Sequence, residues 1–148
     1  MIRPHLRPYI HNIQTLPGTT IAIDFYFPQK NRIRLISTYL LSNHTQLRLN
    51  TQQQIIDWIK QVQAKQIHPI ITGDFNHDLS HDSPSNLSKY LTNNNFIPTI
   101  NHLLPYTSTW QRVNSSSQID EIWISRQLIH IFSTPILYDP ELITYSDH

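Results

Sequence analysis

The sequence predicts an α/β protein whose sheet and helices pack in layers. Three observations predict it: two alternating apolar–polar stretches flank a turn, a later stretch repeats apolar residues at helical spacing, and a short apolar run follows that helix. A hairpin, a crossover helix and a buried strand, in that order, do not build a helical bundle.

Pro4, Pro8 and Pro17-Gly18 break up the first segment, which reads as an irregular or edge element. From Thr19 to Phe27, Ile21, Ile23, Phe25 and Phe27 point one way and Ala22, Asp24 and Tyr26 the other, the pattern of a half-buried strand. Pro28-Gln29-Lys30-Asn31 is turn chemistry. Arg32 to Leu41 alternates again, with Ile33, Leu35, Ser37 and Tyr39 on one face, so the two strands form an antiparallel hairpin. Ser42-Asn43-His44-Thr45 offers capping side chains for a helix from Gln46 to Lys65, in which Ile55, Trp58, Ile59 and Val62 share one face. His68 to Thr72 is long enough only for a buried strand, ended by Gly73. Pro84 to Thr92 reads as a short helix with Ser83 as its cap and Pro84 at the first position. Ser108 to Arg112, Ile119 to Ser125 and Ile129 to Tyr138 read as strands, with Asn114-Ser115-Ser116-Ser117 a loop between the first two. Gly18 and Gly73 both sit at strand-edge turns. Gly73, lacking a Cβ just before Asp74, permits a tight turn and the close approach of a ligand.

With 148 residues the chain is one domain or less, and 39% hydrophobic residues suffice for a core. A net charge of +1 neither demands nor excludes a polyanionic partner. Arg3, Arg7, Arg32, Arg34 and Arg48 make the N-terminal third basic, which reads as a solvated face. The absence of cysteine excludes disulfides, thiolate zinc sites and a cysteine nucleophile, and fits a reducing compartment. Neither a signal-peptide core nor a membrane-spanning run is visible, so an intracellular chain, nuclear or cytoplasmic, is expected.

Asp74 and Asn76 stand at the carboxyl end of the buried strand. Strand alternation puts them on one side, where an acid can take a proton from water and an amide can donate to a phosphate oxygen. The alternative is an Asx-type turn that ends a strand. Asp120 lies in an apolar strand, where a carboxylate is costly unless paired. The alternative, a solvent-facing acid on an edge strand, suits Glu121 better than Asp120. Asp147 can bind a hard cation through oxygen, and His148, held protonated by a carboxylate, can stabilise charge on a phosphoryl oxygen; the alternative is a polar tail. His77 and His81 are spaced like zinc ligands among Asp78 and Asp82, but this Ser/Asp/Pro-rich stretch reads as a loop and not as a metal site. Tyr39 closes its strand on the side opposite Leu40, where its hydroxyl can reach a ligand.

Gly73-Asp74-Phe75-Asn76, then Ser117-Gln118-Ile119-Asp120-Glu121-Ile122-Trp123, then Ser146-Asp147-His148 resemble, in order, three motifs of the endonuclease/exonuclease/phosphatase superfamily. That superfamily includes apurinic/apyrimidinic endonucleases, pancreatic-type deoxyribonucleases, retrotransposon endonucleases, inositol polyphosphate phosphatases and neutral sphingomyelinases. Ser37-Thr38-Tyr39 fits the strand that carries its phosphate-contacting tyrosine, although Leu41-Ser42 replaces the usual Pro-Asn.

The resemblance implies a four-layer α/β sandwich of mixed, mostly antiparallel sheets flanked by helices, and metal-dependent phosphodiester hydrolysis. Asp74 would orient or deprotonate the attacking water, and Asn76 would position water and phosphate. Asp120 would hold His148 charged, and His148 and Tyr39 would bind the phosphate. Asp147 would contribute to a Mg²⁺ site, with Mn²⁺ an alternative ion. The family's early asparagine strand and metal-binding glutamate have no counterpart in residues 1–148, and no strand follows Ser-Asp-His. The expectation is therefore a single partial domain over 1–148, weak or inactive alone, that acts on nucleic acid, DNA before RNA. A catalytically dead nucleic-acid-binding relic and a phosphatase for a lipid or small phosphate ester are the alternatives. Such a partial domain exposes sheet surface and is expected to self-associate.

Overall fold

The structure, a computed structural model, describes residues 2–77, 84–104, 107–112 and 115–131. A 3₁₀ turn at Pro4–Tyr9 leads into β1 (Ile10–Leu16) and β2 (Thr20–Tyr26); a second at Pro28–Lys30 precedes β3 (Arg32–Tyr39). There follow α1 (Thr45–Gln63), β4 (His68–Asp74), α2 (Asn86–Asn93), β5 (Phe96–Pro98) and α3 (Thr99–Leu103). β6 (Trp110–Arg112), β7 (Ser115–Ser117), β8 (Asp120–Ser125) and a 3₁₀ segment at Arg126–Ile131 complete the described chain.

Six strands form one mixed sheet in the order β1-β2-β3-β4-β8-β5, and β6 and β7 form a small ribbon of their own. Every pair in the larger sheet is antiparallel except β3–β4. A parallel pair needs a crossover, and α1 supplies it. The helical stripe read from the sequence is the buried one: Ile55, Trp58, Ile59 and Val62 all lie inside. Ile55, Trp58 and Ile59 pack with Leu87 and Leu91 of α2 on Ala22, Ile36, Ile71 and Trp123 of the sheet, with Leu40 and Phe75 filling its upper end. Burial of each such side chain contributes about 1.5–3 kcal/mol. A buried Gln52 on α1 adds a polar link, its Oε1 accepting from the Leu87 N–H at 3.2 Å, which fixes where α2 begins.

The sheet corrects several expectations. β2 is buried on both sides from Ala22 to Phe25 and is not half-buried: Ala22 joins the core under the helices, Asp24 is paired with Arg34, and on the other face Phe25 stacks on Phe27. Asp24 is tolerated there because Arg34 crosses from β3 to meet it, so Arg34 is not part of a solvated basic face. α1 begins after His44 without any side-chain cap. α2 begins at Asn86, with the Ser85 hydroxyl accepting from the Ser88 N–H at 3.1 Å; Pro84 precedes the helix, and Ser83 lies outside the described residues. Ser115–Ser117 is a strand, since its backbone finds partners in Trp110–Arg112. Residues Ile129–Ile131 belong to a 3₁₀ segment, not a strand, and the rest of the stretch to Tyr138 lies outside the described residues. β5 and α3 were not foreseen; a three-residue strand carries no readable period.

Gly73 does not end β4, which continues through it to Asp74. Its φ of +136° is open to glycine and strained for other residues, and a Cβ there would stand 1.8 Å from the Thr38 carbonyl oxygen. The close approach that demands glycine is thus that of the neighbouring strand, not of a ligand.

Candidate active site

Register assembles the candidate residues. Tyr39 pairs with Asp74 across β3–β4, and Asp74 pairs with Asp120 across β4–β8. The three side chains stand abreast on three adjacent strands, at steps of about 4.8 Å. They share the sheet face turned away from α1, since Ile36, Ile71 and Trp123 occupy the alternate positions beneath the helices. Tyr39 is 47% exposed, while Leu40 beside it is fully buried, as the alternation requires.

Asn76 reaches this rim by a different route from strand alternation. It lies beyond β4 in a bend, with φ +44°, a region asparagine enters more readily than most residues. Its backbone N–H donates to Asp74 Oδ1 at 2.7 Å, and its Nδ2 donates to the Leu40 carbonyl at 2.7 Å. The Asx-type turn and the shared rim therefore coexist. The turn orients the Asp74 carboxylate and ties the end of β4 to the end of β3, helped by the Leu40 N–H bonding to the Asp74 carbonyl at 2.9 Å. The Asn76 amide keeps a second N–H and its carbonyl oxygen for chemistry.

Asp120 is placed by groups that the sequence reading missed. The Thr109 hydroxyl accepts from the backbone N–H of both Ile119 and Asp120, at 3.1 and 2.9 Å. The Ile119 carbonyl accepts from the Phe75 N–H at 2.8 Å, which couples the two acidic segments directly. Glu121 is not the solvent-facing acid expected on an edge strand: β8 is internal, and Glu121 is 1% exposed. Its carboxylate accepts from the N–H groups of Ile100, Asn101 and Ile122 and from Gln118 Nε2, at 2.7 to 3.1 Å. Burial pushes the Glu121 carboxyl above its ordinary 4.5, against the opposing pull of those backbone N–H groups. Its acceptors are spent on holding α3 and the approach to Asp120. No spacing rule flags such a residue; an acid in an apolar strand is the one available signal.

Asp147 and His148 lie outside the described residues, as do Asp78, His81 and Asp82. His77 is described, and its Nε2 is buried with no hydrogen-bond partner among the described residues. No group of three or more His, Cys, Asp or Glu stands ready to hold a metal among the described residues. The donors at the rim are carboxylate and amide oxygens, which suit a hard divalent cation such as Mg²⁺. A groove of about 640 Å³ lies at the opposite end of the sheet beside His68, Asn95 and Arg126 and contains no candidate residue. A shallower groove of about 470 Å³ runs past Tyr39, Ser37 and Thr19, and of the candidate residues its lining includes Tyr39.

Fold and rim together define a mixed α/β protein with Asp74 and Asp120 side by side at one end of a central sheet. The chain belongs to the Endonuclease/Exonuclease/phosphatase family, whose model matches residues 3–148. Members of that family are hydrolases, nucleases and phosphatases among them. The catalytic domain of Xenopus laevis APE2 has a similar fold (TM-score 0.62, 18% identity, 88% of this chain and 53% of that one). So has an AP endonuclease from Archaeoglobus fulgidus (TM-score 0.60, 12% identity, 80% and 60%). A mannosyl-6-phosphatase from Bacteroides thetaiotaomicron is similar at TM-score 0.56 and 16% identity, over 72% of this chain and 42% of its own. The chain thus spans about half the length of these structures. No curated protein matches the sequence.

Proposed function

We propose that this chain carries the later catalytic half of a metal-dependent phosphodiesterase that cuts nucleic acid. The observation behind this reading is the row Tyr39–Asp74–Asp120 on adjacent strands, with Asn76 hydrogen-bonded to the first of its carboxylates. Asp74 takes the proton of the attacking water, and the bend at Asn76 holds that carboxylate in place. Asn76 and Tyr39 donate to the non-bridging oxygens of the phosphate. Asp120 orients and charges His148, which binds the scissile phosphate. Mg²⁺ (or Mn²⁺) held through Asp147 would neutralise charge developing on the phosphoryl oxygens. These roles for Asp147 and His148 rest on the Ser-Asp-His motif.

DNA is favoured as substrate by two neighbours. One is a 3′ phosphatase from Neisseria bound to product DNA hairpin, the other an AP endonuclease. A phosphatase is the second reading, favoured by the mannosyl-6-phosphatase likeness. Among the described residues no helix is long and apolar enough to cross a membrane.

The test is Mg²⁺-dependent nicking of supercoiled plasmid and of an abasic duplex, with a sugar phosphate monoester as the parallel substrate. Wild-type activity above that of Asp74→Ala on DNA supports the nuclease. Activity on the monoester alone replaces it with the phosphatase, and equal backgrounds on all substrates refute catalysis by this chain.

A further inference from the structure

A polar basin lies on the helix-covered side of the sheet, at the end remote from Asp74. Arg34, in its floor, is separated from Tyr39 by about 17 Å along β3. The floor is the buried pair Asp24–Arg34, joined by Nε to Oδ1 at 2.6 Å and Nη2 to Oδ2 at 2.8 Å. Lys65, just past α1, stands on one side. On the other the His11 ring stacks on Tyr26, with centroids 4.1 Å apart and planes 14° from parallel. The Arg32 guanidinium lies 4.9 Å from the Tyr26 ring centroid. The basin is open to solvent and has a volume of about 230 Å³. Gln14 lines it, and the Oε1 of that side chain is buried with no hydrogen-bond partner among the described residues.

Each feature selects for part of a ligand. The volume falls below the roughly 300 Å³ at which sites for drug-sized ligands begin, so the basin holds one flat ring and leaves any attached sugar and phosphate at its mouth, where Lys65 is exposed. Asp24 and Arg34 offset one another, which leaves Lys65 as the excess positive charge at the mouth of the basin, available to an anionic group. With His11 and the Arg32 guanidinium against Tyr26, the face of the His11 ring turned away from Tyr26 is the π surface left for another flat ring. The unmet acceptor on Gln14 asks for an N–H donor on that ring. A free phosphate or a sugar phosphate meets the charge but neither the π surface nor the donor requirement.

We propose that this basin is a nucleotide-binding site, independent of the phosphoesterase centre. It takes one nucleobase against the His11–Tyr26 stack with an N–H edge on Gln14, and a phosphate beside Lys65. The nucleotide is either free or an unpaired residue of a single strand.

The test is amide NMR of the ¹⁵N-labelled full chain. It is titrated with each ribonucleoside 5′-monophosphate, inorganic phosphate, ribose 5-phosphate, a short single-stranded oligonucleotide and a duplex. At least one nucleotide is expected to shift Gln14, Tyr26 and Lys65 saturably, with phosphate and ribose 5-phosphate at least tenfold weaker. Gln14→Met and Lys65→Ala, both conservative of fold, are expected to weaken it fivefold or more. An oligonucleotide that shifts the same residues when the duplex does not identifies the unpaired strand as the source; response to mononucleotides alone identifies the free nucleotide. The proposal is overturned by no shift with any nucleotide, by equal shifts from inorganic phosphate, by shifts confined to the Asp74 rim, or by both variants binding as wild type.

Discussion

The same strands of the central sheet present two faces that are held in different ways. Under the helices, Ala22, Ile36, Ile71 and Trp123 are locked by interdigitation with Ile55, Trp58 and Ile59. On the opposite face Ile13, Ile21 and Tyr39 are 52%, 38% and 47% exposed, and the candidate catalytic row stands at the rim. Packing fixes the first face. On the second, backbone hydrogen bonds fix the carboxylates: the Asn76 turn for Asp74, and the Thr109 hydroxyl for the peptide groups beside Asp120. A chain built this way separates what keeps it folded from what orients the candidate carboxylates, and substitutions sort by which of the two they touch.

Gly73 is where the two requirements meet, so its replacement has the largest expected effect. In Gly73→Ala the added methyl strikes the Thr38 carbonyl from a φ of +136°, and β3 and β4 must separate. Forced strain of this kind costs about 3 kcal/mol or more. Urea unfolding is expected to show that loss, and an unchanged midpoint would mean that the β3–β4 register described here is wrong.

Glu121 comes next. Glu121→Ala strands three backbone N–H groups and the Gln118 amide, each worth about 1–3 kcal/mol when buried without a partner, and a net loss near 3 kcal/mol is expected after partial relaxation. Its pH dependence has a definite sign. Because the folded carboxyl titrates above 4.5, the folded state holds its proton more tightly than the unfolded chain does. The stability that proton binding contributes is full below the unfolded value and is lost as pH rises through the raised one. Glu121→Gln, which cannot titrate, should therefore narrow its deficit against wild type as pH rises from 4.5 upward. A deficit that widens over that range would reverse the assignment.

These two residues also mark where sequence reasoning stops. The hairpin, α1 and β4 were legible because alternation and helical spacing report directly on burial, as Ile55, Trp58 and Ile59 show. Tyr39, Asp74 and Asp120 were legible as a set through motif resemblance, and the register puts them side by side. Glu121, Gln118 and Thr109 were not, because their worth lies in partners distant in sequence such as Ile100. The reason for Gly73 was misread, since nothing in the sequence shows that Thr38 lies against it.

Thr109→Val tests the second mode of support with a smaller effect. It keeps volume and removes the acceptor for two N–H groups, so a loss of about 1–2 kcal/mol is expected. If Thr109 aims Asp120, hydrolysis measured well below the melting transition should fall more steeply than the folded fraction. A fall that merely tracks unfolding would reduce Thr109 to a structural bond.

The open apolar face gives the smallest effect on stability and the clearest contrast. Ile13 and Ile21 are large apolar side chains left in water on β1 and β2, and β1 is a sheet edge. If that face drives association between copies, Ile13→Lys with Ile21→Lys should lower the sedimenting mass of a concentrated sample while moving the melting midpoint by no more than about 0.5 kcal/mol equivalent. The helix-covered face offers no such freedom, because a charge at Ile36 or Ile71 would be buried without a partner. A double variant that unfolds would show that Ile13 and Ile21 are held by packing after all. A wild-type chain that sediments as a monomer at every concentration would show that the exposed face carries no association.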